Sequence, residues 1–133
     1  MLPRSEPGPH ATGCRRPMQI LIIINDPPYG TERMYNALRL AGSLLRAGDN
    51  RVDVFLMADA VLGAKSGQKT PDGYYNVERM LRRVVAGNGG VLLCGTCLDA
   101  RGITDAEIMA GARRSTMDEL AAATLSADKV LVF

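Results

Sequence analysis

Apolar residues along this chain fall into short dense blocks and longer stretches spaced by three and four. Gln19–Ile24 is a block of isoleucine and leucine, and it predicts a strand buried on both faces, the habit of a parallel sheet. It runs into Asn25-Asp-Pro-Pro-Tyr-Gly-Thr31, where the paired prolines and Gly30 stop the strand and hold a rigid loop. Thr31 is a candidate cap for a helix with Met34, Leu38, Ala41 and Leu45 on one face, ending around Ala47-Gly48. Arg51–Met57 predicts the second strand. Asp53 interrupts its apolar run, which places that residue near a strand end or a partner interface rather than alone in the core.

The segment from Ala58 to Tyr75 is long and irregular, and a loop of that size in a small domain is usually functional or mobile. Asn76 can cap a helix whose apolar face is Val77, Met80, Leu81 and Val84, leaving Arg79, Arg82 and Arg83 on the solvated side. Gly90–Leu93 predicts a third buried strand. Beyond Gly102, Thr104-Asp-Ala-Glu107 and Thr116-Met-Asp-Glu119 are capping-box patterns. They predict two helices separated by a break at Gly111 to Ser115, with Met109, Leu120 and Leu125 pointing inward. Lys129–Phe133 predicts a last, buried strand. Strands alternating with helices argue for a three-layer α/β/α sandwich with a mainly parallel sheet of four to five strands.

Composition narrows the class. The chain of 133 residues fits one domain, and its 47% apolar content is ample for a core. No segment approaches the roughly 20 apolar residues needed to span a membrane, and the opening lacks the apolar core of a secretion signal, so a cytoplasmic location is expected. Met1–Pro17 holds four prolines, two glycines and the single histidine, His10, and reads as a disordered tail before a domain at 18–133. Met18 stands either at a true start or at the first ordered residue. Of the net charge of +2, the tail supplies all: Arg4, Arg15 and Arg16 against Glu6. The remaining 13 basic and 13 acidic groups cancel (16 less 3, and 14 less 1), which argues against nucleic acid as a partner.

Candidate chemistry gathers at Val91-Leu-Leu-Cys-Gly-Thr-Cys-Leu-Asp-Ala-Arg-Gly102. If Gly95 to Arg101 is helical, Cys94 and Cys97 lie near its first turn, where unpaired N–H groups favour a thiolate. Ligands of parallel sheets collect at the carboxyl ends of strands, so the loops at Asn25–Thr31 and Ala58–Tyr75 belong to the same edge. Asp26, Tyr29 and Gln68 are candidate pocket residues there. A Cys–His hydrolytic pair is excluded within the body, because His10 lies in the tail. A zinc site would need Cys14 and His10 as well, and none is expected. The loop after Ile24 carries no phosphate, dinucleotide or flavin motif, so no cofactor is expected. A thioredoxin-like arrangement fits poorly: the paired cysteines follow the third strand, and no proline occurs after Pro71.

These residues resemble the DsrE/DsrF-like family of small sulfur-handling proteins, and within it the YchN-like branch. The marks are Ile20-Leu-Ile-Ile-Ile-Asn-Asp-Pro-Pro-Tyr-Gly with Glu32 and Ala37-Leu38, then Val54-Phe-Leu-Met-Ala-Asp-Ala-Val61, and above all Cys94-Gly-Thr-Cys-Leu-Asp-Ala-Arg-Gly102. The resemblance implies an α/β/α sandwich that assembles into trimers or hexamers. It also implies a cysteine after the third long strand that, in the sulfur-relay members, accepts sulfane sulfur as a persulfide and passes it from a donor to an acceptor protein. That role maps onto Cys94. Cys97 looks like the second cysteine of the YchN-like branch and has no equivalent in the relay members. A dithiol redox protein using Cys94 and Cys97, and a non-catalytic oligomeric adaptor, are the alternative readings.

Overall fold

The computed structural model describes residues 16–133. Of the expected tail, residues 1–15, with His10 and Cys14, lie outside the described residues. The chain runs β1 (Gln19–Ile24), α1 (Arg33–Arg46), β2 (Arg51–Leu56), a 3-10 turn (Ala58–Ala64), α2 (Val77–Ala86), β3 (Val91–Cys94) and α3 (Gly95–Ala100). A second 3-10 turn (Asp105–Glu107), β4 (Ala112–Ser115), α4 (Met117–Ser126) and β5 (Lys129–Val132) complete it. The five strands lie in the order β4-β3-β2-β1-β5, and all four pairings are parallel.

Right-handed crossovers account for the layering. The chain steps from β1 to β2 to β3 in one direction, so α1 and α2 fall on one face, where they pack on each other and on the sheet. The β4-to-β5 connection runs back the other way, so α4 lies on the opposite face, against β1. The architecture is an α/β/α sandwich. Ile22, Ile24, Val52, Val54, Leu56 and Leu93 of the central strands are fully buried, and Met34, Ala37, Leu38, Ala41, Val77, Leu81 and Val84 cover them from α1 and α2.

Local signals explain most boundaries. The Asn76 side chain accepts a hydrogen bond from the Arg79 N–H and starts α2. Thr31 is displaced by one residue from the cap of α1, which falls on Glu32; its Oγ1 instead accepts from the Arg33 N–H and donates to Asp26 Oδ2. Asp53 is neither stranded nor buried alone. Its Oδ1 accepts from the Gly90 N–H (2.7 Å) and from Arg51 Nε (3.2 Å), fastening the entry of β3 to β2. At the same crossing Gly89 passes so close to β2 that a Cβ would lie 1.9 Å from the Val52 carbonyl oxygen.

Three expectations are corrected in the second half. Thr104 to Glu107 does not open a helix: the Glu107 carboxylate reaches back to the Thr104 N–H (2.8 Å), but the turn lasts three residues. It ends because Ser66 donates to the Glu107 carbonyl, Met109 donates to the Ala64 carbonyl, and Lys65 bridges Ile108, which fixes the first part of the long loop against this segment. The expected break at Gly111 to Ser115 contains β4, an edge strand paired only with β3. Its sequence Ala-Arg-Arg-Ser carries no apolar block, because its outward residues are solvated.

The third correction concerns α4 and β5. Met109 and Leu120 are buried as expected, but Leu125 is 88% exposed. Five positions along a helix turn a side chain by roughly 140°, so Leu120 and Leu125 cannot share a face. β5 is likewise an edge strand rather than a buried one, with Val132 66% exposed. Asp128 fastens its start, accepting from the Gln19 N–H and from Arg16, and these contacts hold its carboxyl below the usual carboxylate range.

Candidate functional site

Cys94 is the last residue of β3 and the cap of α3, with φ −59° and ψ 113°. Helix α3 follows without a loop, and Gly102 (φ +63°) ends the segment in the left-handed conformation. The bend is tight on the β4 side. A Cβ on Gly95 would lie 3.1 Å from both Arg114 Cγ and the Ser115 carbonyl oxygen, so only a small residue fits after the cysteine. Arg114 closes the turn from outside, donating through Nη1 to the Gly95 carbonyl and to Asp99 (both 2.9 Å) and through Nε to Asp105 (3.2 Å).

Between the bend and α4 lies a cavity of about 440 Å³. The turn Cys94–Thr96 forms its floor, Phe55 and Met117 supply apolar walls, and Asp99 with Arg114–Thr116 complete the rim. Cys94 is 9% exposed and is one of the residues that line the cavity. Both Cys94 and Cys97 are free thiols.

The two sulfurs differ in surroundings. Burial pushes the Cys94 thiol up, but hydrogen bonds from the Cys97 thiol and the Thr96 hydroxyl outweigh it and leave Cys94 below its ordinary value. Thr96 Oγ1 lies 3.2 Å from the Cys94 sulfur. The sulfur makes no formal capping bond, yet the N–H groups of Thr96 and Cys97 add to the same effect. Cys97 goes the other way. Burial raises it first, and its role as donor to Cys94 raises it further, while the Ala58 N–H and Arg101 oppose. The Ala58 N–H points at the Cys97 sulfur (3.2 Å) from a backbone at φ +49°, a conformation alanine seldom adopts. Arg101 binds the Cys97 carbonyl (3.0 Å) and Asp59 (2.8 Å).

Asp26, Tyr29 and Gln68 sit elsewhere on this edge, and none of them lines the cavity at Cys94. Tyr29, at φ +64°, donates its hydroxyl to Gln68 and accepts from the Val77 N–H (3.0 Å). Gln68 donates through Nε2 to the Gly63 and Lys65 carbonyls and through its backbone to the buried Glu78 carboxylate. Together they tie the first loop and the long loop to the start of α2. Asp26 holds Thr31 and stands 3.6 Å from Arg33. Beside this network Tyr75 stacks between Tyr29 and Tyr35, with ring centroids at 5.4 and 4.1 Å.

The residues that sequence reasoning missed are Arg114, Ser115 and Met117. They come from β4 and the start of α4, and reading that strand as a break hid them. The one available signal was position: Ser115 directly precedes the Thr116 capping pattern, which is where a strand feeding a helix ends.

With this geometry, the chain belongs to the DsrE/DsrF-like family, whose model matches residues 18–133. It is 46% identical over 117 residues to Protein YchN of Escherichia coli (strain K12), covering 86% of this chain and 98% of that protein. The crystal structure of the ychN protein from E. coli superposes with a TM-score of 0.82 at 44% identity, covering 87% of this chain and 99% of the other. A more distant relative, Sulfurtransferase TusD of Cronobacter sakazakii, is 27% identical over 128 residues, covering 87% of this chain and all of that protein. Among the described residues no helix is long and apolar enough to cross a membrane.

The opposite shifts of the two thiols have a measurable consequence. Replacing Cys97 with alanine removes the donor, so the pH midpoint for alkylation of Cys94 by iodoacetamide is expected to move upward and the rate at neutral pH to fall. A midpoint in C97A equal to or below that of the wild type contradicts the assignment of Cys97 as donor.

Proposed function

We propose that this chain is a sulfur-handling protein in which Cys94 accepts sulfane sulfur as a persulfide and passes it on. The observation that carries the reading is the placement of Cys94, at the strand-to-helix bend on the floor of a cavity, with its thiol held below the ordinary value by Cys97 and Thr96. Membership of the DsrE/DsrF-like family and the likeness to a protein named a sulfurtransferase support the sulfur-handling role. In the loading step the Cys94 thiolate attacks the outer sulfur of a donor R–S–SH. A sulfur–sulfur bond forms at Cys94, the donor's own bond breaks, and RS⁻ leaves with the electron pair. Release to an acceptor thiolate repeats the exchange, so no external oxidant or reductant is required.

A second reading, a dithiol redox protein, has its own support in the two free thiols, three residues apart at the start of α3, which shift one another in opposite directions. The two separate in one experiment. After incubation with glutathione persulfide, intact-mass analysis is expected to find one added sulfur on the wild type and on C97A but not on C94A. Unchanged loading in C94A removes the relay assignment. Loss of two hydrogens with no sulfur gained, reversed by a reductant, assigns the pair to redox exchange. The third reading, an adaptor without chemistry, is disfavoured by the open cavity.

We further propose that the chain self-associates, as a trimer or hexamer, through the apolar surface that α4 and β5 leave exposed at Leu125, Val130 and Val132. An exposed edge strand next to such a surface is a poor end state for a monomer. Sedimentation at micromolar concentration is expected to show an oligomer, weakened in V132D. A wild-type monomer contradicts the proposal.

A further inference from the structure

Ser115 ends β4, and in the parallel ladder its register partner is Cys94 at the end of β3. Paired residues of adjacent strands project to the same face, with the strands about 4.8 Å apart. The two side chains therefore lie side by side, and both residues line the cavity. Ser115 is 3% exposed, and among the described residues its Oγ is a buried side-chain oxygen without a hydrogen-bond partner.

The neighbours that could satisfy that hydroxyl are engaged elsewhere. The Thr116 hydroxyl accepts from the Glu119 N–H, the Thr96 hydroxyl is bonded to Cys94, and Arg114 directs Nη1 to Gly95 and Asp99 and Nε to Asp105; none of them bonds the Ser115 hydroxyl. Both carboxylate oxygens of Glu119 accept from Arg113, at 3.0 and 2.6 Å. That fork is the main reason Glu119 stays below the usual carboxylate range. The Ser115 hydroxyl lies near enough to add to that effect without meeting hydrogen-bond geometry. Buried hydroxyls are ordinarily paired, and an exception calls for an explanation.

We propose that Ser115 is the residue that holds the transferred sulfur, its hydroxyl donating to the outer sulfur of a persulfide on Cys94. This rests on the persulfide reading and deepens it. A sulfur–sulfur bond of about 2.05 Å extends the cysteine by one atom into the cavity, supplying an acceptor that the bare thiol does not place there. When deprotonated, the outer sulfur carries the charge, and a hydrogen bond to a charged acceptor is the stronger kind. Phe55 and Met117 cover other walls with apolar surface, and among the described residues that line the cavity Ser115 carries the buried side-chain oxygen left without a partner.

Full-length wild type and S115A are loaded with glutathione persulfide and freed of excess, and the decay of the added sulfur under a fixed thiol concentration is followed by intact mass. The sulfur on S115A is expected to be lost about tenfold faster or more, the order of one charge-assisted hydrogen bond. Unloaded S115A is expected to melt at the same temperature as the wild type or above it, because an unpaired hydroxyl is being removed. Equal lifetimes in the two proteins overturn the role of Ser115 while leaving the persulfide reading intact. A melting temperature several degrees lower, or failure to fold, shows that the hydroxyl is structurally partnered and also overturns it. A wild type that gains no sulfur removes the persulfide reading and this inference with it.

Discussion

The register of β3 between β2 and β4 decides which way the thiol at position 94 points. β3 has four residues, and each neighbouring strand holds it in parallel, with Leu56 opposite Leu93 on one side and Ser115 opposite Cys94 on the other. Side chains alternate along a strand, so a slip of one residue would send the thiol to the opposite face. Two devices guard the register at its start: the Asp53 carboxylate binding the Gly90 N–H, and the close passage of Gly89 over Val52. At its end, Arg114 grips the Gly95 carbonyl and prevents α3 from drifting away from β4.

That placement turns two similar cysteines into different groups. Cys94 stands where the strand's carboxyl end meets the first N–H groups of α3, and Cys97 lies three residues on, facing the strained Ala58 backbone. Their thiols are shifted apart, Cys94 below its ordinary value and Cys97 above it, with the Ala58 N–H only a partial counterweight at Cys97. The Cys94 thiol is thus brought below its ordinary value by backbone N–H groups, one hydroxyl and a second thiol.

Much of this was legible in the sequence. The block Gln19–Ile24, the spaced apolar positions of α1 and α2, and the Asn76 cap announce themselves by periodicity and capping chemistry. The cysteine turn was legible from a strand pattern ending at Cys94. What escaped was set by tertiary context. β4 has no apolar alternation, since an edge strand beside solvent needs little, and so Arg114, Ser115 and the cavity wall they form went unseen. β5 reads as buried because Val-Leu-Val-Phe is apolar, although composition does not reveal whether a second strand or a second molecule covers it. Asp26, Tyr29 and Gln68 were grouped with the cysteine because their loops leave the same sheet edge. Tyr29 and Gln68 instead bind one another and the start of α2, a choice made by hydrogen-bond geometry that no spacing rule encodes.

The central claim is that one sulfur atom, on Cys94 and inside the cavity beside β4, is where sulfane sulfur resides. A crystal structure of the protein after exposure to glutathione persulfide tests this most directly. The account predicts extra density for one atom bonded to the Cys94 sulfur and directed toward Ser115, with Cys97 unmodified. Density for the added atom on Cys97, or a continuous bond between the two cysteines, would contradict it.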